Sequence, residues 1–136
     1  MNAPPLLDTH AWLWWLLGDP RLPAAEARAL NALPPGQRPW LSDISLWETA
    51  LLVERKRVAL SMPLREWLEI AAGPASVRVL PITPAVAAEV AHLPDSFHRD
   101  PADRVIVATA RVLDLPLASH DRLIRGARLC PMWRPV

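Results

Sequence analysis

The stretch Asp100-Pro101-Ala102-Asp103, with the apolar run Val105-Ile106-Val107-Ala108 behind it, constrains this chain more than any other. Asp-Pro-x-Asp reads as a helix start, with Asp100 at the N-cap and Pro101 at the first helical position. The apolar residues that follow demand burial, so the acidic end is pinned beside a core. An acid held there serves either as a cap or as part of a site, and the rest of the chain must decide between them.

Around this stretch, short apolar strands alternate with helices. Strands are expected at Pro5–Asp8, Trp40–Ser42, Val77–Leu80 and Leu115–Ser119, with a last short one at Leu129–Trp133. Helices are expected at His10–Leu17 (capped by Thr9), Pro23–Ala32, Ser45–Arg57, Pro63–Ala72, Pro84–Leu93 and Pro101–Leu113, with a helical turn at His120–Arg125. In the second helix Glu26 and Arg28 are expected to face solvent. In the third, Leu46, Ala50, Leu51 and Val53 form the expected apolar face. Alternation of this kind predicts an α/β domain with a central parallel sheet of four to five strands flanked by helices and joined by right-handed crossovers. The 16 prolines fall largely in turns, where they stiffen connections. No linker or repeat divides residues 1–136, so one domain is expected.

Composition narrows the function. A net charge of +1 gives no overall basic field for nucleic acid. Lys56 is the only lysine; arginine suits bidentate phosphate contact, but codon preference is the weightier explanation of the bias. A single cysteine, Cys130, rules out an internal disulfide and points to a reducing compartment. The apolar run Ala11–Leu17 is too short to span a bilayer and no signal peptide opens the chain, so a cytoplasmic protein without membrane attachment is expected.

Four acids fall where strands end or helices begin. Asp8 closes the first strand, Glu48 lies in the first turns after the second, Asp103 opens the helix of the lead stretch, and Asp121 follows the fourth strand. In a parallel sheet the carboxyl ends of the strands share one edge, where ligands bind. Each acid also has a simpler reading: Asp103 and Asp121 as caps, Asp8 as turn chemistry, Glu48 as an exposed helix acid. Together they would repel unless a cation sits among them. Oxygen ligands without paired histidines or cysteines suit Mg²⁺ or Mn²⁺, the chemistry of a metal-dependent phosphodiesterase. The histidines have no metal-ligand spacing; His98 and His120 either touch substrate or are turn residues. Ser42, Ser45 and Ser119 lack a base partner, and the four glycines form no phosphate loop.

The motifs Leu6-Leu7-Asp8-Thr9-His10-Ala11-Trp12-Leu13-Trp14-Trp15, Ser42-Asp43-Ile44-Ser45-Leu46-Trp47-Glu48, His98-Arg99-Asp100-Pro101-Ala102-Asp103-Arg104 with Ile106-Val107-Ala108-Thr109-Ala110, and Ser119-His120-Asp121-Arg122 occur in this order. In this combination the chain resembles the PIN-domain endoribonucleases, and among them the VapC-like toxins of type II toxin–antitoxin pairs. The resemblance implies a PIN-like domain with Asp8, Glu48, Asp103 and Asp121 as catalytic residues, Asp8 and Asp103 being the metal ligands. It implies Mg²⁺ or Mn²⁺ as cofactor, RNA as substrate, a cognate antitoxin as partner, and a homodimer. His120, before the last acid, departs from the family pattern.

RNA contact would fall to Arg99, Arg104 and Arg122, which flank the acids; each is equally well a surface ion pair. Trp12, Trp14 or Trp15 is either core or part of a dimer or antitoxin surface. A catalytically silent PIN-like module that binds nucleic acid or a partner is the alternative, and the four acids argue against it. A haloacid-dehalogenase-type phosphatase is disfavoured, since His10 stands where its second acid belongs.

Overall fold

The structure, a computed structural model, describes residues 3–135; the ends of the expected 1–136 domain lie outside them. Four strands form one parallel sheet: β1 (Leu6–Leu7), β2 (Trp40–Ser42), β3 (Arg78–Leu80) and β4 (Leu117–Ala118), in the order β3-β2-β1-β4. Leu6 pairs with Trp40 on one side and Leu117 on the other. Seven helices flank the sheet: α1 (Thr9–Leu17), α2 (Ala24–Asn31), α3 (Ile44–Glu54), α4 (Leu64–Ala71), α5 (Pro84–His92), α6 (Pro101–Leu113) and α7 (Arg122–Ala127). The expected α/β class with a parallel sheet is the observed one.

Side chains alternate faces along a strand, so neighbouring residues of β1 feed two cores. Leu7, with Leu41 and Ala118, packs against Trp12, Leu13, Leu30 and Trp67. Leu6, with Leu117, packs against Phe97, Ile106, Val107 and Ile124. Leu6 and Leu7 are both fully buried, which stabilises the fold by about 1.5–3 kcal/mol for each side chain. This explains why a two-residue strand suffices at the centre of the sheet.

Several local expectations are corrected. Leu129–Trp133 is not a strand: Met132 forms an isolated parallel bridge to Leu117. Its neighbours Pro131 and Trp133 hydrogen-bond Leu117 at 2.9 and 2.8 Å. Asp8, not Thr9, caps α1, its Oδ1 accepting the Ala11 amide at 2.7 Å. At the other end Gly18 closes α1 in the left-handed region, at φ 68°. Trp12 belongs to the core: its indole is fully buried, packs tilted against Trp67 at 5.4 Å and donates Nε1 to the Ala71 carbonyl. Trp14 and Trp15 are half-buried. The third helix ends at Glu54 rather than Arg57, with Lys56 at φ 58° turning the chain away. Its buried residues are Ser45 and Thr49, whereas Leu46, Ala50, Leu51 and Val53 are only partly covered. Ser45 faces the sheet side of α1, where its Oγ lies 2.8 Å from Thr9 Oγ1. Glu26 turns inward to meet His120, at 2.9 Å.

Candidate active site

The parallel topology does what the acid positions require. Asp8 directly follows β1, Asp121 follows β4 after two residues, and Glu48 sits in the second turn of α3 behind β2. With Asp103 from α6, these four carboxylates line one cavity of about 640 Å³, and Asp100 joins them at its rim.

Helix starts do the aiming. Asp8, Asp100 and Asp121 are the N-caps of α1, α6 and α7. Asp100 Oδ1 accepts the Asp103 amide at 2.9 Å. Asp121 Oδ1 accepts the amides of Leu123 and Ile124 at 2.9 and 3.1 Å. Three helix N-termini therefore point their partial positive charge at one place, which favours anions there. Asp103, at the third helical position, spends no oxygen on a backbone amide among the hydrogen bonds of the described residues and faces the cavity. Capping by Asp100 and Asp121 is thus observed, and it does not remove either residue from the site.

The electrostatics are those of crowded acids that their hydrogen bonds only partly compensate. Burial pushes the Asp103 carboxyl up to about 8, with Asp100, Glu48, Asp121 and Asp8 adding repulsion. Burial also raises Asp8, against hydrogen bonding from Ser119 and the Ala11 amide. Glu48 is raised by burial too, with the Thr9 hydroxyl opposing. Burial and like charge are the two causes that keep carboxyls protonated. Glu48 Oε1 and His98 Nε2 are shielded from solvent and have no hydrogen-bond partner among the described residues. Hard oxygen donors, mutual repulsion and orphaned polar atoms fit a divalent cation such as Mg²⁺ or Mn²⁺. Among the described residues, the donors of His98, Asp103 and Asp121 lie within 4.8 Å of one another. Asp8 lines the same cavity but is not in that closest group.

The flanking arginines divide. Arg104 is not a surface group: it is buried, and Nη1 donates to the carbonyls of Phe97 and His98 at 3.1 and 3.2 Å. Its Nη2 donates to Val90 at 3.3 Å. It staples the loop before α6 and is unavailable to a ligand. Arg99 is exposed and lies 4.0 Å from Asp95. Arg122 lines the acid cavity. His120 is held by Glu26, and its ring stacks with Trp14 at 6.4 Å.

Sequence reasoning missed a second feature. A groove of about 680 Å³ adjoins the acid cavity and shares His10, Trp14, Arg21, Glu48 and Asp100 with it. Its far wall carries Trp47, 49% exposed, with Leu51, Arg55 and Arg57. The available signal was Trp47 itself, a large aromatic one residue before a candidate site acid. Arg21, whose guanidinium lies 4.9 Å above Trp14, gave none.

Comparison with known proteins places this geometry. The PIN domain model matches residues 6–128, and the chain belongs to the PIN-domain family. Within it, the chain is 39% identical over 123 residues to Ribonuclease VapC22 of Mycobacterium tuberculosis (strain ATCC 25618 / H37Rv). That match covers 90% of this chain and 91% of the relative. Among solved structures, FitAcB from Neisseria gonorrhoeae superposes with a TM-score of 0.69 at 27% identity, covering 96% of each chain. A toxin–antitoxin complex from Klebsiella pneumoniae has the same fold, with a TM-score of 0.66 at 20% identity, covering 97% of this chain and 98% of the other. The resemblance to VapC-like PIN domains drawn from the motifs therefore holds.

Proposed function

We propose that this chain is a divalent-metal-dependent endoribonuclease and the toxin of a type II toxin–antitoxin pair. The observation that carries the proposal is the convergence of Asp8, Glu48, Asp103 and Asp121 on one cavity, in a chain 39% identical to a ribonuclease. Asp103 and Asp8 would hold the cation, with Asp121 beside them. A bound Mg²⁺ or Mn²⁺ supplies water activation and stabilises the charge that grows on a phosphate during in-line displacement.

The chain's own groups do the rest. Glu48 Oε1, shielded and unpartnered, accepts a proton from the attacking water, a role that its raised proton affinity suits. The N-termini of α6 and α7 place partial positive charge beside the scissile phosphate. Flanking RNA occupies the adjoining groove, where Arg55 and Arg57 complement phosphates and Trp47 offers a stacking face, while Arg21 is held by Asp19 at 2.7 Å. The low net charge is no obstacle, because these arginines are local to the groove. The cognate antitoxin, the homodimer and a cytoplasmic location belong to the same proposal and rest on the family resemblance. No helix of the described residues is long and apolar enough to cross a membrane.

The test is RNA cleavage by Asp8→Ala and Asp103→Ala. Both are expected to lose it while keeping a native circular dichroism spectrum. Full cleavage by both variants sinks the proposal; an inactive wild-type chain, freed of antitoxin and supplied with Mn²⁺, favours the silent binding module.

A further inference from the structure

We propose that His98 is a metal ligand, its Nε2 joining Asp103 and Asp121 around the divalent cation and giving the centre a preference for Mn²⁺ over Mg²⁺. This rests on the metal centre proposed above and adds to it a nitrogen donor that the four-acid pattern lacks.

His98, Asp103 and Asp121 bring three donor atoms into one small cluster. His98 Nε2 lies 3.1 Å from Asp103 Oδ2, yet it has no hydrogen-bond partner: the two atoms are close without being aligned on each other. Neighbouring ligands of an octahedral ion, each about 2.1 Å from it, stand about 3 Å apart, and opposite ones about 4 Å. The donors of His98, Asp103 and Asp121 all fall within 4.8 Å of one another. Nε2 is also shielded from solvent, so without a cation it gains nothing from water.

The imidazole is held in place. Buried Arg104 fixes the carbonyls of Phe97 and His98 at 3.1 and 3.2 Å. Phe97 is anchored in the core and packs edge-on against the His98 ring at 4.7 Å. Such support is what a preorganised ligand needs. The other two cavity histidines are placed differently. His120 Nε2 is taken by Glu26 at 2.9 Å, and His10 is exposed, tilted against Trp14 at 6.0 Å. An imidazole nitrogen is a softer donor than a carboxylate: it adds affinity for Mn²⁺ and little for the harder Mg²⁺.

Electron spin-echo spectroscopy of the full chain with one equivalent of Mn²⁺ reads the bond directly. The wild type is expected to show the ¹⁴N coupling of a directly bound imidazole. His98→Ala is expected to lose it, whereas His10→Ala and His120→Ala retain it. Calorimetry is expected to show His98→Ala weakening Mn²⁺ binding by about tenfold or more, and Mg²⁺ binding by less than about threefold. Bound Mn²⁺ without nitrogen coupling in the wild type overturns the role of His98 and leaves the acid centre standing, as does equal weakening of both metals. A wild-type chain that binds no Mn²⁺ overturns both.

Discussion

The acid cavity and the groove beside it share five residues, among them Trp14 and Glu48, and differ in almost everything else. On the cavity side, carboxylates are crowded until burial and repulsion hold Asp103 near 8. Three helix N-termini aim there. On the groove side the acids give way to Trp47, Leu51, Arg55 and Arg57. On the proposed function, one side would gather carboxylates around a cation and the other would receive an aromatic, negatively charged chain. The contrast separates two tasks that a nuclease must perform, bond cleavage and strand holding, and it makes them separately breakable.

The largest effect is expected from Asp103→Asn. Removing this charge should lower kcat for RNA cleavage by about 10³-fold or more, equivalent to about 4 kcal/mol of barrier, with KM little changed. The same substitution should raise the melting temperature of the metal-free protein, because it removes the most crowded charge. The wild type carries the corresponding pH dependence. A carboxyl whose affinity for protons is raised by folding makes the folded state bind more protons than the unfolded one. The window runs from the ordinary carboxylate range up to about 8. Stability in EDTA should therefore fall as pH rises through that window, and Asp103→Asn should flatten the slope. Saturating Mn²⁺ should restore the melting temperature at the alkaline end.

On the groove side, Trp47→Ala should do the reverse of Asp103→Asn. Loss of a stacking face is expected to raise KM by about tenfold with kcat unchanged. A fall in kcat without a change in KM would erase the distinction between the two regions. The smallest effect belongs to Asp100→Ala, which removes the cap of α6 and should cost about 1 kcal/mol in urea denaturation. A far larger loss would mean that Asp100 does more than start the helix.

Much of this was readable from residue order. The Asp-Pro start of α6, the Gly-Asp-Pro stop after α1 and the apolar pairs of β1 and β4 are local signals, and they place three of the four acids at strand ends or a helix start. What escaped depends on groups distant in sequence. Arg104 looked like a surface cation; only the path of the loop before α6 brings the carbonyls of Val90, Phe97 and His98 to its guanidinium. Glu26 faced solvent on any helical wheel of α2, yet it meets His120 across 94 residues of sequence. The buried face of α3 is made by Ser45 and Thr49, hydroxyls that an apolar pattern cannot mark, because Ser45 is satisfied by Thr9 of another helix. Trp12 and Trp47 are alike as residue types; one fills the core and the other lines a groove, a difference set by which side of its helix the sheet occupies.

The most direct test of the central claim, that the acid cavity is a metal-dependent ribonuclease centre, is cleavage of a labelled single-stranded RNA by the purified chain through one chelation cycle. Cutting is expected with Mn²⁺, is expected to stop when EDTA is added, and is expected to return when Mn²⁺ is restored in excess. The products should lack 2′,3′-cyclic phosphate ends, as attack by water requires. Cleavage that continues unchanged in EDTA, or that leaves cyclic ends, would contradict the claim.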